Sequence, residues 1–303
     1  VAKPNLLTRG LMKPFSPIAH GYWRLMEWNL RPEEIARLME DSLALGIYTL
    51  DHADIYGDYR CEAAFGKGFS QLPASVREGV QLVSKCGIKL LSTSAPERRI
   101  KHYDYSYDHI VQSVDTSLQR LGAEKLDVLL LHRPSPLLQP EEVARAFSDL
   151  HAAGKVLDFG VSNFTPAQFD VLQSTCEQPL VTNQVQISPL HVDYLFDGGQ
   201  DHALLHHYAP MAWSPLGGGR LFTPKSERDQ AVLDAFTSMS HSTGLPIDTL
   251  AYAWIRKLPS KPSILVGSGK LERLQSALDA LGYDFPLEDW YAILQASRGH
   301  GIA

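Results

Sequence analysis

Residues 127–132 read Asp-Val-Leu-Leu-Leu-His, a run of four apolar side chains between two polar ones. An apolar run without alternation is typical of a parallel strand that is buried on both faces. The segments on either side of it, 107–121 and 140–153, have the apolar spacing of amphipathic helices. A helix, a buried strand and a second helix in this order predict a parallel sheet that is covered by helices.

The same alternation of strand-like and helix-like segments continues along the chain in both directions. The other strand-like runs are 17–23, 47–51, 81–85, 157–162, 181–185, 210–213 and 263–266. The other helix-like segments are 32–45, 166–175, 229–243 and 271–281, and further helices are predicted at 246–257 and 286–297. Eight strands in 303 residues favour an α/β fold, a closed (β/α)8 TIM barrel with additional C-terminal helices, over an open doubly wound sheet. No linker divides the chain, so we expect a single domain over residues 1–303.

The composition argues against several classes of partner. The formal net charge is −6 and there is no long basic run, so neither nucleic acid nor an anionic membrane is expected as the main partner. No stretch has the roughly 18 to 20 consecutive apolar residues of a membrane span. Cys61, Cys86 and Cys176 form neither a disulfide framework nor a zinc-binding pattern, which favours a reducing, cytoplasmic setting.

Three of the predicted strands end in ionisable residues, although a buried charge is costly unless it is paired. The second run ends at Asp51, the third at Lys85 and the fourth at His132. Tyr56 follows five residues after Asp51, and Gly57 then allows a sharp turn. In a barrel of this type the C-terminal ends of the strands carry the catalytic residues. The sequence therefore predicts that four polar side chains converge on one site.

A phenol, an ammonium, a carboxylate and an imidazole suit the reduction of a carbonyl group. Hydride transfer to the carbonyl carbon leaves negative charge on the oxygen, and Tyr56 can donate a proton there. Lys85 beside it would lower the pKa of the phenol, and Asp51 would hold the Lys85 ammonium in place. A neutral His132 imidazole would orient the carbonyl oxygen. Taken singly, each of these residues could equally have a structural role.

Several segments of the chain resemble signatures of the aldo-keto reductase family. Residues 46–57, Gly-Ile-Tyr-Thr-Leu-Asp-His-Ala-Asp-Ile-Tyr-Gly, are similar to the first signature, with His52 where the family usually has Thr. We expect this His52 to be structural. Residues 154–164, Gly-Lys-Val-Leu-Asp-Phe-Gly-Val-Ser-Asn-Phe, match the second signature, and 265–273 resemble the cofactor-binding segment. Gly-Tyr-Trp-Arg-Leu-Met at 21–26 and Leu-Gly-Gly-Gly-Arg-Leu at 216–221 resemble a bacterial subgroup of poorly characterised NADP-dependent oxidoreductases.

The resemblance implies an enzyme that uses NADPH to reduce aldehydes or ketones to alcohols, with the four converging residues as its catalytic set. No Gly-x-Gly-x-x-Gly follows the first predicted strand, so a Rossmann-type dinucleotide site is not expected. Residues 267–270 instead lie between the last strand and a helix, where backbone amides form an anion site. By resemblance this anion is the 2′-phosphate of NADPH, contacted by Arg273, and NADH is the less favoured cofactor. Ser276 and Ala277 depart from the Glu and Asn that family members often have near the adenine.

The resemblance also assigns the remaining cofactor contacts. Ser162, Asn163 and Gln184 would hold the nicotinamide carboxamide, and Trp213 would stack on the nicotinamide ring. The residues expected along the phosphates and riboses are Ser214, Leu216, Gly217, Gly219, Arg220, Gly267, Ser268, Lys270 and Arg273. The residues expected at the pocket mouth are Gly21, Tyr22 and Trp23, and those expected on the substrate side are Trp23 and Arg133.

Two other functions are compatible with the same residues. A Schiff-base aldolase would use Lys85 as its nucleophile, although Asp51 nearby would stabilise the ammonium and argues against this. A redox-sensing regulatory protein would bind NADPH with little turnover. No metal site is predicted: His202 and His206, four apart on a predicted helix, have no evident third ligand and are expected on a solvated face.

Overall fold

The computed structural model describes residues 13–93 and 95–301 and contains a closed barrel of eight parallel strands. The barrel strands are β1 (Ile18–Gly21), β2 (Thr49–Asp51), β3 (Gln81–Cys86), β6 (Leu126–Leu131), β7 (Val156–Ser162), β8 (Leu180–Gln186), β9 (Met211–Trp213) and β10 (Ser263–Val266). They follow one another around the barrel in chain order, and β10 pairs with β1 so that Ile18 lies opposite Ile264. This closure confirms the predicted barrel, and the open sheet is wrong.

Helices surround the barrel in the intervals between the strands. They are α1 (Pro32–Ala44), α2 (Tyr56–Tyr59), α3 (Cys61–Phe69), α4 (Ala74–Arg77), α5 (Tyr107–Leu121), α6 (Pro140–Ala152), α7 (Pro166–Gln173), α8 (Gly199–Leu205), α9 (Glu227–Thr243), α10 (Ile247–Arg256), α11 (Leu271–Asp279) and α12 (Leu287–Arg298). Short 3-10 turns lie at Leu25–Glu27, Asp193–Leu195, Gly217–Gly219 and Ala280–Gly282. In the part of the chain that the structure describes, no helix has both the length and the apolar character needed to cross a membrane.

Two regions depart from a simple succession of strands and helices. An antiparallel hairpin of β4 (Ile88–Lys89) and β5 (His102–Tyr103) occupies the long interval between β3 and β6. The helices predicted at 246–257 and 286–297 are present as α10 and α12. Trp254 and Trp290 stack with 4.9 Å between their ring centroids, and each indole N–H donates to the backbone carbonyl oxygen of the other at 3.0 Å. These contacts fix the C-terminal helix against α10.

The alternation of side chains along β3 places a charged group inside the barrel. Val83 belongs to an apolar cluster with Val128 of β6, whereas Cys86 belongs to the cluster that includes Phe65 of α3. Successive side chains of a strand point to opposite faces, so Lys85 shares the face of Val83. Lys85 therefore enters the barrel interior, and Cys86 packs beneath the helices.

The contact between α3 and α5 leaves no room for a side chain at Gly66. A Cβ atom there would lie 2.0 Å from the carbonyl oxygen of Arg120. We expect Gly66→Ala to lower the free energy of unfolding in urea by at least about 2 kcal/mol, because a backbone atom has to move. Gly282→Ala is the control, since a Cβ there meets nothing within 4 Å, and its effect should stay below about 0.5 kcal/mol. Equal stability of the two variants would contradict this packing.

Candidate active site

The carboxyl ends of β2, β3 and β6 bring the predicted polar residues to one mouth of the barrel. Asp51 is the last residue of β2, Lys85 is the penultimate residue of β3, and His132 directly follows β6. Tyr56 is the first residue of α2, just beyond β2. Because parallel strands end at the same rim of a barrel, residues that are distant in sequence meet here.

Lys85 is the centre of the resulting hydrogen-bond network. Its Nζ donates to both carboxylate oxygens of Asp51 at 2.8 Å and to the carbonyl oxygen of His52 at 2.6 Å. It also donates to the hydroxyl oxygen of Tyr56 at 3.0 Å. Gln184 adds a hydrogen bond from its Nε2 to Asp51 Oδ1 at 2.8 Å. An ammonium has three N–H donors, so the four acceptors around Lys85 Nζ occupy all of them, with one N–H shared between two acceptors.

The Lys85–Asp51 ion pair is almost completely removed from solvent. The exposed fractions of the two side chains are 0% and 2%. Burial raises the pKa of Asp51 and lowers the pKa of Lys85, and the attraction between the two groups opposes both shifts. With contacts of 2.8 Å and a further donor from Gln184, we infer that both groups stay charged.

The pKa of the Tyr56 hydroxyl is raised well above its ordinary value, first by burial and then by the negative charge of Asp51. The sequence predicts a lowered pKa, whereas the net shift is upward because burial, its largest cause, disfavours the phenolate. A raised pKa keeps the phenol protonated at neutral pH.

The imidazole of His132 lies beside the Tyr56 ring, edge to face, with 5.8 Å between the ring centroids. Burial lowers the pKa of His132 well below its ordinary value, and the positive charges of Lys85, Arg133 and Lys101 lower it further. The ring is therefore neutral at neutral pH, as the sequence predicts. Its Nδ1 is buried without a hydrogen-bond partner among the residues that the structure describes, which leaves a polar atom unsatisfied at the site.

A tight backbone turn fixes the position of Tyr56. Gly57, Asp58 and Tyr59 have φ angles of 58°, 55° and 65°, a left-handed conformation that is uncommon for residues other than glycine. A Cβ atom at Gly57 would lie 2.6 Å from the Sγ atom of Cys61. The sharp turn predicted at Gly57 is confirmed, and both its φ angle and its crowding require glycine.

The four residues adjoin a cavity of about 870 Å³, within the roughly 300 to 1,000 Å³ that is usual for small-molecule sites. Asp51, Tyr56 and His132 line it, and Lys85 lies behind them. The predicted cofactor residues that line it are Gly21, Trp23, Ser162, Asn163, Gln184, Trp213, Ser214, Leu216, Gly219, Gly267, Ser268 and Arg273. Arg133, predicted on the substrate side, also lines it.

The Trp213 ring is held in place by a chain of hydrogen bonds. Its Nε1 donates to Asn163 Oδ1 at 3.0 Å, and Asn163 Nδ2 donates to Ser162 Oγ at 2.8 Å. Ser162 Oγ donates in turn to the carbonyl oxygen of Gln184 at 2.9 Å. Asn163 adopts a left-handed φ of 61°, which turns its backbone at the end of β7. The wall of the cavity is therefore ordered before any ligand binds.

Tyr22 does not belong to the cavity, contrary to the prediction. Its ring is fully buried and stacks on His52 with 4.8 Å between the ring centroids. Gly21 and Trp23 line the cavity on either side of it in the sequence, whereas the Tyr22 ring packs edge to face against Phe65 of α3. His52 is buried in the same layer, which confirms that it points away from the neighbouring Asp51 side chain.

Three further predicted cofactor residues also lie outside the cavity lining. Arg220 is paired with Asp229 of α9, with 2.7 Å between Nη2 and Oδ1. Gly217 packs towards Leu190, since a Cβ atom on it would lie 2.9 Å from a methyl carbon of that leucine. Lys270 is exposed at the residue before α11. These residues lie in the predicted loops but are not part of the cavity lining.

His202 and His206 are not on a purely solvated face, and a third polar group lies near them. His202 is buried; its Nδ1 is 2.9 Å from the hydroxyl of Tyr208, and its Nε2 is 3.0 Å from Asp170 Oδ1. His206 Nε2 lies 3.4 Å from the same carboxylate oxygen. The sequence could not indicate this cluster, because Asp170 comes from α7. The hydrogen bonds tie α7 to α8 on the outside of the barrel.

The sequence assigns no site role to several of the cavity residues. They are Arg24, Ile55, Ile88, Leu90, Lys101, Phe222, Asp248 and Tyr252. Ile88, Leu90 and Lys101 belong to the hairpin region between β3 and β6, and Asp248 and Tyr252 belong to α10. The positions of these five residues depend on how the hairpin region and α10 pack at the barrel mouth, which no local pattern encodes.

Comparison with known proteins identifies relatives over almost the whole chain. A model of the aldo/keto reductase family matches residues 17–298. The chain is 45% identical to oxidoreductase YdhF of Escherichia coli over 95% of both chains. It is 43% identical to the uncharacterized oxidoreductase YcsN of Bacillus subtilis, covering 95% of this chain and 96% of that one. A 6-dehydroglucose reductase of Agrobacterium fabrum is 37% identical, with the same two coverages.

A solved structure supports the fold independently of these sequences. A glycerol dehydrogenase from Gluconobacter oxydans superposes with a TM-score of 0.81, covering 96% of this chain and 94% of that one. The two sequences are 23% identical, so this likeness concerns the fold.

Removing one member of the buried ion pair should destabilise the barrel. We expect Asp51→Asn or Lys85→Met alone to lower the free energy of unfolding in urea by about 3 to 5 kcal/mol, because each leaves an uncompensated buried charge. The double variant Asp51→Asn/Lys85→Met removes both charges and should recover most of that loss. A loss of unfolding free energy in the double variant that equals the sum of the two single losses would contradict a buried, charged pair.

Proposed function

The chain belongs to the aldo/keto reductase family and is an oxidoreductase, and from this premise we propose that it reduces aldehydes or ketones to alcohols with hydride from NADPH. The observation that carries the proposal is the contact of Lys85 Nζ with the Tyr56 hydroxyl at 3.0 Å and with Asp51 at 2.8 Å, beside a cavity of ligand size. A 37% identical relative bears the name 6-dehydroglucose reductase, which agrees with a reductive reaction.

The cavity residues fit the parts of a nicotinamide dinucleotide. Ser162, Asn163 and Gln184 offer the donors and acceptors that a carboxamide requires, and the fixed indole of Trp213 offers a flat face for the ring. At the other end Arg273 faces the cavity from the first turn of α11, where an anion is favoured. When bound, NADPH supplies a hydride to the carbonyl carbon of the substrate.

The protein's own residues complete the reduction by delivering a proton. Negative charge develops on the carbonyl oxygen as the carbon is reduced, and the protonated Tyr56 hydroxyl donates its proton to that oxygen. Lys85 stabilises the phenolate that remains, and Asp51 keeps the Lys85 ammonium charged and in place. The neutral His132 ring hydrogen-bonds the substrate oxygen and orients it without competing as a proton donor.

The same geometry argues against the aldolase reaction. A Schiff base requires the neutral amine of Lys85 to attack a carbonyl carbon. The two carboxylate contacts at 2.8 Å stabilise the ammonium instead, and all of its N–H groups point at protein oxygens. A regulatory protein that binds NADPH without turnover remains the other outcome of the test below.

We expect Tyr56→Phe to lower kcat for carbonyl reduction at least roughly 100-fold, because the proton donor is lost. The Kd for NADPH should stay within about threefold of the wild-type value, a change in binding free energy of less than about 1 kcal/mol. Tyr291→Phe on the exposed face of α12 is the matched control and should behave as wild type. The measurement is steady-state oxidation of NADPH with a panel of aldehydes and ketones.

Two results would contradict the proposed function. Turnover of Tyr56→Phe at the wild-type rate with several carbonyls would remove Tyr56 from the reaction. Tight NADPH binding by the wild type with negligible turnover across the panel would favour the regulatory protein.

Arg273 should distinguish the two nicotinamide dinucleotides. It lines the cavity, and no carboxylate oxygen of the described residues lies within 4.0 Å of its guanidinium. We expect Arg273→Met to raise the Kd for NADPH about 10- to 100-fold, the scale of a charge-assisted hydrogen bond, and to leave the Kd for NADH nearly unchanged. Tryptophan fluorescence quenching measures both constants, with Arg37→Met on α1 as the control. Equal Kd values for NADPH and NADH in the wild type would overturn the assignment of a 2′-phosphate site.

A further inference from the structure

Three positively charged side chains that the cofactor assignment does not use line the same cavity. Arg24 follows β1, Lys101 precedes β5, and Arg133 follows His132. They come from three separate segments of the chain, so the cluster is a product of the fold rather than of one basic loop. The guanidinium of Arg133 lies 5.7 Å from the centroid of the Trp213 ring, and that of Arg24 lies 5.0 Å from the Trp23 ring.

None of these three cations is neutralised by the protein. Among residues 13–93 and 95–301, no carboxylate oxygen lies within 4.0 Å of the charged nitrogens of Arg24, Lys101 or Arg133. Asp51, which also lines the cavity, is already held by Lys85. The other acids in the lining are Asp58, which is exposed, and Asp248 of α10. Arg24, Lys101 and Arg133 therefore remain as cations without an ion-pair partner in the cavity lining.

The backbone of Arg133 is held rigidly while its guanidinium remains unpaired. The hydroxyl of Tyr105 donates to the carbonyl oxygen of Arg133 and accepts from its backbone N–H, the latter at 3.0 Å. Tyr105 is buried, so this anchor is part of the core. A fixed backbone with a free planar guanidinium is a preorganised receptor for an oxyanion, which it can bind through two parallel hydrogen bonds.

The charges act directly on the reacting end of the cavity. Both Arg133 and Lys101 contribute to the low pKa of His132, and the charge of Arg133 partly opposes the rise in the pKa of Tyr56. A ligand group that pairs with them would consequently lie near the proton donor. The apolar residues that line the same cavity include Trp23, Ile88 and Leu90. The Trp23 side chain is 55% exposed.

We propose that the substrate is an anionic carbonyl compound, whose carboxylate or other oxyanion is bound by Arg133 and Lys101 while its carbonyl oxygen faces Tyr56. This specificity rests on the proposed carbonyl reduction and adds a substrate class to it. Arg24, which lies beside Trp23, adds a third positive charge to the electrostatic potential of the cavity. A neutral carbonyl of equal size leaves the cations without a counter-charge and binds more weakly.

A matched pair of aldehydes tests the proposal. 4-Formylbenzoate and 4-formylbenzamide have nearly the same size, and only the first is charged. We expect the wild type to show a kcat/KM with NADPH at least about 10-fold higher for the benzoate, the lower end for a hydrogen bond to a charged group. Arg133→Met, Lys101→Met and their double variant should reduce this ratio progressively towards one, whereas Arg133→Lys should retain part of it.

Lys125→Met is the matched control, because Lys125 lies just before β6 at the opposite end of the barrel. It removes the same charge and should leave the ratio and both activities unchanged. Raising the ionic strength should lower the wild-type ratio, since salt screens partly exposed charges. Equal kcat/KM values for the two aldehydes in the wild type, or a ratio that survives in the double variant, would overturn the proposal.

A binding measurement separates this proposal from the proposed reaction. The alcohols 4-(hydroxymethyl)benzoate and 4-(hydroxymethyl)benzamide are titrated by tryptophan fluorescence, with no turnover required. If neither aldehyde is reduced, the proposed reaction fails, but tighter binding of the benzoate that is lost in the double variant still supports an anion site. Equal Kd values for the two alcohols would overturn the anion site even if both aldehydes are reduced.

Discussion

The rest of the structure depends on one buried ion pair inside an apolar barrel. The Lys85 ammonium and the Asp51 carboxylate contact each other at 2.8 Å with exposed fractions of 0% and 2%. A single uncompensated charge would be costly there, and the pair joins the carboxyl ends of β2 and β3, which are neighbours in the barrel. Lys85 also donates a hydrogen bond to the Tyr56 hydroxyl. The ion pair therefore positions the phenol as well as joining the two strands.

Burial raises the pKa of Tyr56 and lowers the pKa of His132, because it disfavours the charged form of each group. It keeps Tyr56 protonated and His132 neutral, so the site offers one proton donor and one uncharged hydrogen-bonding ring at neutral pH. The left-handed turn at Gly57 and the Asn163–Trp213 hydrogen bond hold the two walls of the cavity. Under the proposed reaction, this cavity would bring the nicotinamide, the Tyr56 hydroxyl and the cations Arg24, Lys101 and Arg133 together at one barrel mouth.

The sequence predicts the frame and the central residues for a clear physical reason. Buried parallel strands are apolar throughout, so Asp51, Lys85 and His132 at their ends stand out against the pattern, and the barrel brings such ends together. Features that depend on packing between distant segments cannot be predicted from a local sequence pattern. The raised pKa of Tyr56, the burial of Tyr22, the pairing of Arg220 with Asp229 and the contact of His202 with Asp170 all arise in this way. Lys101 reaches the cavity only because the hairpin of β4 and β5 folds over the mouth.

The central claim is that the pair of Lys85 and Asp51 serves proton delivery to a carbonyl and is more than an element of stability. Its most direct test is deuterium transfer from NADPH labelled at the nicotinamide C4 position into the product alcohol, followed by mass spectrometry in a single turnover. The account predicts label on the former carbonyl carbon with the wild type, and at least roughly 100-fold slower labelling with a folded Asp51→Asn/Lys85→Met variant. Labelling by that variant at the wild-type rate, or no label with the wild type, would contradict it.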